Sequence, residues 1–234
     1  MVYLHGRSRP TCIEGVVNQT IADMISRSQV VFITGFIVLC VGGVFGYLSW
    51  RTDPLKNIPL RSTGPILFFG DSLVQGVGST MGNDLPAVLT RKLGEPVLNY
   101  GRAGDTTHQA IDRLASAQAA QPRLVLILLG GNDFLQRVPR DETFANLKFL
   151  ITAFQSEGAA TVLIGVRSGI IGGGADDRYE QLAADTGSAY IEDVLQGVFG
   201  EPALMSDALH PNDAGYERIA VRIAPIVKQL IDVQ

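Results

Sequence analysis

Downstream of residue 63 the chain alternates short apolar runs with longer stretches whose apolar positions recur every three or four residues. Pro65–Phe69, Pro96–Tyr100, Leu124–Leu129 and Thr161–Val166 are too short for helices and predict strands. Leu124–Leu129 contains no polar residue, as expected of a parallel strand covered on both faces. Asn83 or Asp84 can cap a helix with Pro86 in its first turn and Gly94 just past its end. A second helix is predicted from about Thr107 to Ala119. In a third, about Asp141–Glu157, Phe144, Leu147, Leu150, Ile151 and Phe154 share one stripe, and Gly158 follows it. The last, about Asp213–Val233, puts Tyr216, Ile219, Ala220, Ile223, Val227 and Leu230 on one face, with a kink expected at Pro225. Such alternation implies an α/β domain with a doubly wound parallel sheet and right-handed crossovers. In these sheets ligands bind beyond the carboxyl ends of the strands.

A different pattern precedes the domain. No residue from Val30 to Trp50 is charged. As a helix this run would extend roughly 31 Å, the thickness of a bilayer's hydrocarbon core. Arg27 and Arg51 bracket it, and Tyr47 and Trp50 sit at an interfacial level. It is longer than a signal-peptide core and no A-x-A-like cleavage site follows, so an uncleaved signal anchor is expected. Residues 1–29 then form a leader, within which Met24 offers a second start that would leave the short basic leader MISRSQ. Residues 51–63 contain two prolines and several charges and read as an exposed linker. The domain proper is expected over 64–234. Arg51, Lys56 and Arg61 would favour a cytoplasmic domain by charge count, but long domains translocate largely regardless of charge.

Composition narrows the chemistry. Apolar residues make up 46% of the chain, enough for a full core, and the net charge of −4 comes with scattered basic residues. A nucleic-acid partner would need a basic face, and none is evident. Cys12 and Cys40 both precede the domain, so it holds no disulfide framework of its own. Four polar clusters fall at predicted strand ends: Gly70-Asp71-Ser72-Leu73, the run Asn99–Thr106, Gly130-Gly131-Asn132-Asp133, and Asp207-Ala208-Leu209-His210-Pro211. A serine hydroxyl needs a base to act as nucleophile. His5 precedes the apolar span and His108 lies in a predicted helix. His210 has a carboxylate three residues upstream. Asp207 can orient one ring nitrogen and leave the other as base for Ser72, the logic of a catalytic triad. The Ser72 N–H, the Gly104 N–H and the Asn132 amide are candidate donors to a developing oxyanion. Asp71 and Asp133 flank these positions and read as loop-bracing carboxylates. A metal site built from Asp71, Asp133, Asp207 and His210 would use suitable ligands, but it would leave Ser72 and Asn132 unexplained.

Taken together and in this order, the clusters resemble the SGNH hydrolases, also called the GDSL esterase/lipase family, over roughly Ile66 to the C-terminus. Ser72, Gly104, Asn132 and His210 match the family's four named residues, with Asp207 as the triad acid. RAGDTT, LGGND, LIGVRSG and ALMSDALHPNDAGYERIA look most like the bacterial multifunctional acyl-CoA thioesterase/lysophospholipase/arylesterase branch. That resemblance implies a flavodoxin-like sheet and a serine hydrolase that cleaves carboxylic esters or thioesters through an acyl-enzyme, with no metal or cofactor. Carbohydrate O-deacetylases and acyltransferases share the family, and a metal-dependent phosphoesterase is a further alternative. Leu73, Arg167, Ser168 and Gly169 are expected at the substrate pocket, with the glycine-rich loop Ser168–Asp177 forming one wall. The expected partners are a small or lipid acyl ester and a membrane, through Val30–Trp50. The expected setting is a single-pass protein of the bacterial inner-membrane type with an extracytoplasmic domain. No oligomeric state is implied.

Overall fold

The four apolar runs form neighbouring strands. In the computed structural model, which describes Phe32, residues 55–166 and residues 177–233, they become β1 (Ile66–Gly70), β2 (Val97–Gly101), β3 (Leu124–Leu128) and β4 (Ala160–Ile164). A short β5 (Ala189–Ile191) completes a five-stranded sheet of order β2-β1-β3-β4-β5, parallel throughout. That is the flavodoxin-like order, whose switch point lies between β1 and β3. Residues 55 onward belong to one unit, Asp53–Gln234; of the other, Met1–Thr52, only Phe32 is described and it is exposed. The apolar segment Val30–Trp50 otherwise lies outside the described residues. Among those described, no helix is long and apolar enough to cross a membrane.

Side chains alternate across a strand, so each buried run feeds two cores. Ile66 and Phe68 face one layer, where α2 (Leu85–Leu93) and α8 (Asp213–Asp232) bring Leu85, Leu89, Tyr216, Ile219 and Ile223. Leu67 and Phe69 face the other, filled by Leu147, Leu150, Ile151 and Phe154 of α6 (Arg140–Ser156). Asp84 caps α2 by accepting from the Ala87 N–H, and Gly94 closes it at φ 74°. α8 continues through Pro225 as one helix.

Three elements depart from the sequence expectation. The predicted helix at Thr107–Ala119 is two pieces, α3 (Thr107–Asp112) and α4 (Leu114–Gln118), broken where Arg113 leaves helical geometry at φ −113°, ψ 10°. α7 (Asp177–Thr186) was hidden by its polar composition, and β5 by its length of three residues. Short helices α1 (Ser72–Gln75) and α5 (Gly131–Leu135) begin directly beyond β1 and β3. The described part of the expected linker is largely exposed yet tied down. The Lys56 N–H donates to Gly187 O at 2.8 Å, the Asn57 amide to Gln155 O and Ala159 O at 2.9 and 2.8 Å, and Ile58 and Leu60 pack on the core.

Candidate active site

β1 delivers Asp71 and Ser72 to the switch point. Gly70 has no room for a side chain: a Cβ there would lie 2.3 Å from Val74 and 2.5 Å from Leu128 O. The Asp71 carboxylate caps α1 by accepting from the Leu73 N–H at 3.0 Å, which places Ser72 in the first turn. Asp71 is buried, and that burial pushes its carboxyl up from 3.8 to about 6 against the lowering effect of the Leu73 N–H and of His210.

His210 reaches this point from the far end of the chain. Its Nε2 lies 3.1 Å from Ser72 Oγ. Its Nδ1 lies 2.9 and 3.1 Å from the two Asp207 oxygens. Asp207 Oδ1 also accepts the backbone N–H groups of Leu209 and His210 at 2.7 and 2.8 Å, so the carboxylate braces its own loop. The His210 hydrogen bond, followed by those two N–H groups, holds the Asp207 carboxyl down at about 2. The loop is closed by the Met205–Pro211 bridge and by the Ser206 N–H donating to His210 O at 2.9 Å. Asn212 then caps α8. On α8 the buried Tyr216 hydroxyl donates to Val77 O at 2.7 Å, joining the helix behind His210 to the segment behind Ser72. Burial raises that phenol, so it stays a donor.

The candidate oxyanion donors come from the first turn of α1, the loop after β2 and the first turn of α5. Gly104 is exposed at φ 84°, with nothing within 4 Å of a Cβ. Neither its N–H nor that of Ser72 donates to a described residue. The Asn132 amide donates to Asp105 O at 3.0 Å and stands 3.4 Å from Asp71 Oδ2. Asp133 is occupied elsewhere: its carboxylate accepts the Thr107 N–H and hydroxyl at 2.8 and 2.5 Å and the Thr143 hydroxyl at 3.3 Å. Among the described residues no group of three or more His, Cys, Asp and Glu side chains is placed to hold a metal, so Asp71, Asp133, Asp207 and His210 do not converge as ligands.

A recess of about 60 Å³ adjoins Ser72. Leu73, Asn132, Leu135, Val166, Leu195, Leu209 and His210 line it, whereas Gly104 is not among its lining residues. A larger cavity of about 550 Å³, lined by Phe134, Leu135, Val138, Phe144 and Tyr179 among others, shares Leu135 with it but contains neither Ser72 nor His210. Arg167, Ser168, Gly169 and the rest of the loop to residue 176 lie outside the described residues. His108 is an exposed residue of α3. Sequence reasoning did not single out Leu135, Val166 and Leu195, which only the fold gathers. It also passed over Arg113, whose guanidinium meets Asp105, Tyr100 O and Gly70 O beneath the site.

A serine, an imidazole and a carboxylate in line at the switch point of a parallel sheet define a serine hydrolase on a flavodoxin-type frame. The model of the GDSL-like lipase/acylhydrolase family matches residues 68–218, and the chain belongs to that family. Esterase TesA of Pseudomonas aeruginosa is 30% identical over 71% of this chain and 89% of its own. The thioesterase 1/protease 1/lysophospholipase L1 of Escherichia coli K12 is 28% identical over 71% of this chain and 85% of its own. A crystal structure of TesA superimposes with a TM-score of 0.64 at 28% identity, covering 71% of this chain and 99% of that one. The chain is a serine hydrolase acting on carboxylic esters.

Proposed function

We propose that Ser72 is the nucleophile, His210 the general base and Asp207 the residue that orients the imidazole and stabilises the imidazolium formed when it takes the serine proton. His210 Nε2 takes the Ser72 proton as Oγ bonds to the acyl carbon. The Ser72 and Gly104 N–H groups and the Asn132 amide receive the oxyanion. His210 then gives the proton to the departing alcohol or thiol as the carbonyl re-forms. Water repeats the cycle, releasing a carboxylic acid and restoring the serine. Asp71 and Asp133 act as braces, capping α1 and anchoring α3 respectively. The observation that carries this reading is the 3.1 Å approach of His210 Nε2 to Ser72 Oγ across 138 positions of sequence.

The substrate class is acyl esters and thioesters with a small or flexible acyl group, including lysophospholipids. The names of the relatives support thioester and lysophospholipid cleavage, and the short apolar recess at Ser72 supports an acyl group threaded past Leu73, Leu195 and Leu209. Arg167, Ser168 and Gly169 would complete the pocket wall. The uncharged run Val30–Trp50 supports an anchor that holds the domain, beginning near residue 64, on the extracytoplasmic face of a bacterial inner membrane.

A panel of p-nitrophenyl esters, acyl-CoAs and lysophospholipids, given to the protein beside Ser72→Ala, tests the assignment. Ser72→Ala is expected to abolish turnover and labelling by a fluorophosphonate. Retention of either removes Ser72 from the mechanism.

A further inference from the structure

We propose that Arg113 is the positioning residue that sets the three oxyanion donors against one another; this rests on the oxyanion reading above. Its side chain is largely buried, at 15% exposure, beneath the carboxyl ends of β1 and β2. Nη2 donates to Gly70 O at 2.7 Å, Nη1 to Tyr100 O at 2.8 Å and Nε to Asp105 Oδ2 at 2.5 Å. The guanidinium carbon lies 4.2 Å from the Phe69 ring centroid, which fixes the plane of the fork. None of these contacts is to Ser72, His210 or a site open to substrate, so Arg113 acts through other groups.

The three acceptors are the roots of the three donors. Gly70 lies two residues before Ser72. Tyr100 is the penultimate residue of β2, whose following loop carries Gly104. Asp105 is the neighbour of Gly104, and its backbone carbonyl accepts the Asn132 amide at 3.0 Å. One rigid cation therefore ties together the segments bearing the Ser72 N–H, the Gly104 N–H and the Asn132 side chain. Asp105 is buried and needs a charged partner; Arg102, its other one at 3.1 Å, is 61% exposed and its side chain contributes no link to β1. A planar guanidinium can serve acceptors in several directions at once, whereas an ammonium is a point charge that cannot keep this fork. The break between α3 and α4 falls at Arg113, the residue whose side chain is used in this way.

An oxyanion site tolerates little displacement: a shift of about 1 Å can cost on the order of 10²-fold in rate. Arg113→Lys is expected to lower kcat about 10- to 100-fold on p-nitrophenyl acetate and to change KM less than about threefold, because ground-state binding does not use the oxyanion donors. Fluorophosphonate labelling, which places a phosphoryl oxygen on the same donors, is expected to slow by a similar factor while still reaching about one label per chain. A role confined to holding the fold would instead lower the fraction of chains that label and leave the rate per labelled site at the wild-type value; that result overturns the proposal. The per-site rate decides even where part of the population is unfolded. Asp105→Asn is a second route to the same defect, and the double variant is expected to lose less than the product of the single losses. Asn132→Ala separates the two layers of argument. If it lowers kcat and Arg113→Lys does not, Arg113 is no positioning residue and the oxyanion reading stands. If Asn132→Ala is also silent, the oxyanion reading itself fails.

Discussion

Asp71 and Asp207 are two carboxylates of one site driven in opposite directions. Asp71 is buried, and its folded-state value of about 6 lies above the ordinary 3.8. Its contribution to stability is therefore fully present below about pH 4 and is lost as pH rises through about 6. A rise of that size corresponds to roughly 3 kcal/mol. The stability of the wild type relative to Asp71→Asn is expected to fall by about that amount between pH 3.5 and pH 7, measured by urea unfolding; a pH-independent difference refutes the burial argument. Asp207 lies at about 2, below the ordinary value, through hydrogen bonds from His210, then Leu209 and His210 N–H. Its stabilising effect is present above pH 4 and disappears as pH falls toward 2. Asp207 is therefore ionised throughout the neutral range. Asp207→Asn is expected to reduce kcat by ~10³-fold or more, since the ring loses its orienting charge. A loss under tenfold on p-nitrophenyl acetate would remove Asp207 from its assigned role.

At the level of elements, the site is a meeting of helix starts and strand ends, and its tolerances are set by backbone contacts. A Cβ on Gly101 would fall 2.0 Å from Gln75 N and 2.5 Å from Val74 C, both backbone atoms of α1. Gly101→Ala must therefore push the end of β2 away from the helix that carries Ser72. The expected cost is about 1–3 kcal/mol of stability together with a fall in kcat, read by thermal unfolding and ester turnover. Leu147 of α6 is fully buried on the opposite side of the sheet from α8. Leu147→Ala should cost about 2–5 kcal/mol while leaving kcat per labelled site unchanged. The pairing of these variants separates damage to the site from damage to the core. The stripe Phe144, Leu147, Leu150, Ile151 and Phe154 was legible because one helix face meets one sheet face. α7 was not, because it is short and polar on average: its inner side, Tyr179, Leu182, Ala183 and Thr186, keeps helical spacing but offers only two large apolar residues.

In the whole domain, chain attachment and chemistry lie at opposite ends of the sheet. Lys56, Asn57 and Arg61 bind backbone carbonyls of Gly187, Gln155, Ala159 and Pro122, which precede β5, β4 and β3. The polypeptide thus joins the domain at the amino ends of the strands, whereas Ser72 and Asn132 follow their carboxyl ends. Five-residue strands separate the two by roughly 17 Å. Removal of residues 1–53 is expected to leave kcat/KM on p-nitrophenyl esters within about twofold and to abolish retention of the protein in the membrane pellet. Retention by the shortened chain would show that Val30–Trp50 is not the anchor.

The sequence by itself determined the alternation of elements, the buried runs of the central strands, and the four polar clusters at strand ends. These follow from local rules: period two in strands, three to four in helices, and turn chemistry where they end. Ser72, Asp207 and His210 stood out as candidates because four polar clusters occur together, in order, at predicted strand ends; an Asp-x-x-His pair by itself reads as an exposed turn before a helix. The tertiary structure alone decided that residues 72 and 210 meet, that Leu135, Val166 and Leu195 share one recess, and that Arg113 bonds at once to the ends of β1 and β2 and to Asp105. Contacts between distant segments depend on strand order and register, which no single stretch of chain encodes, and a buried arginine looks in sequence like any solvated one.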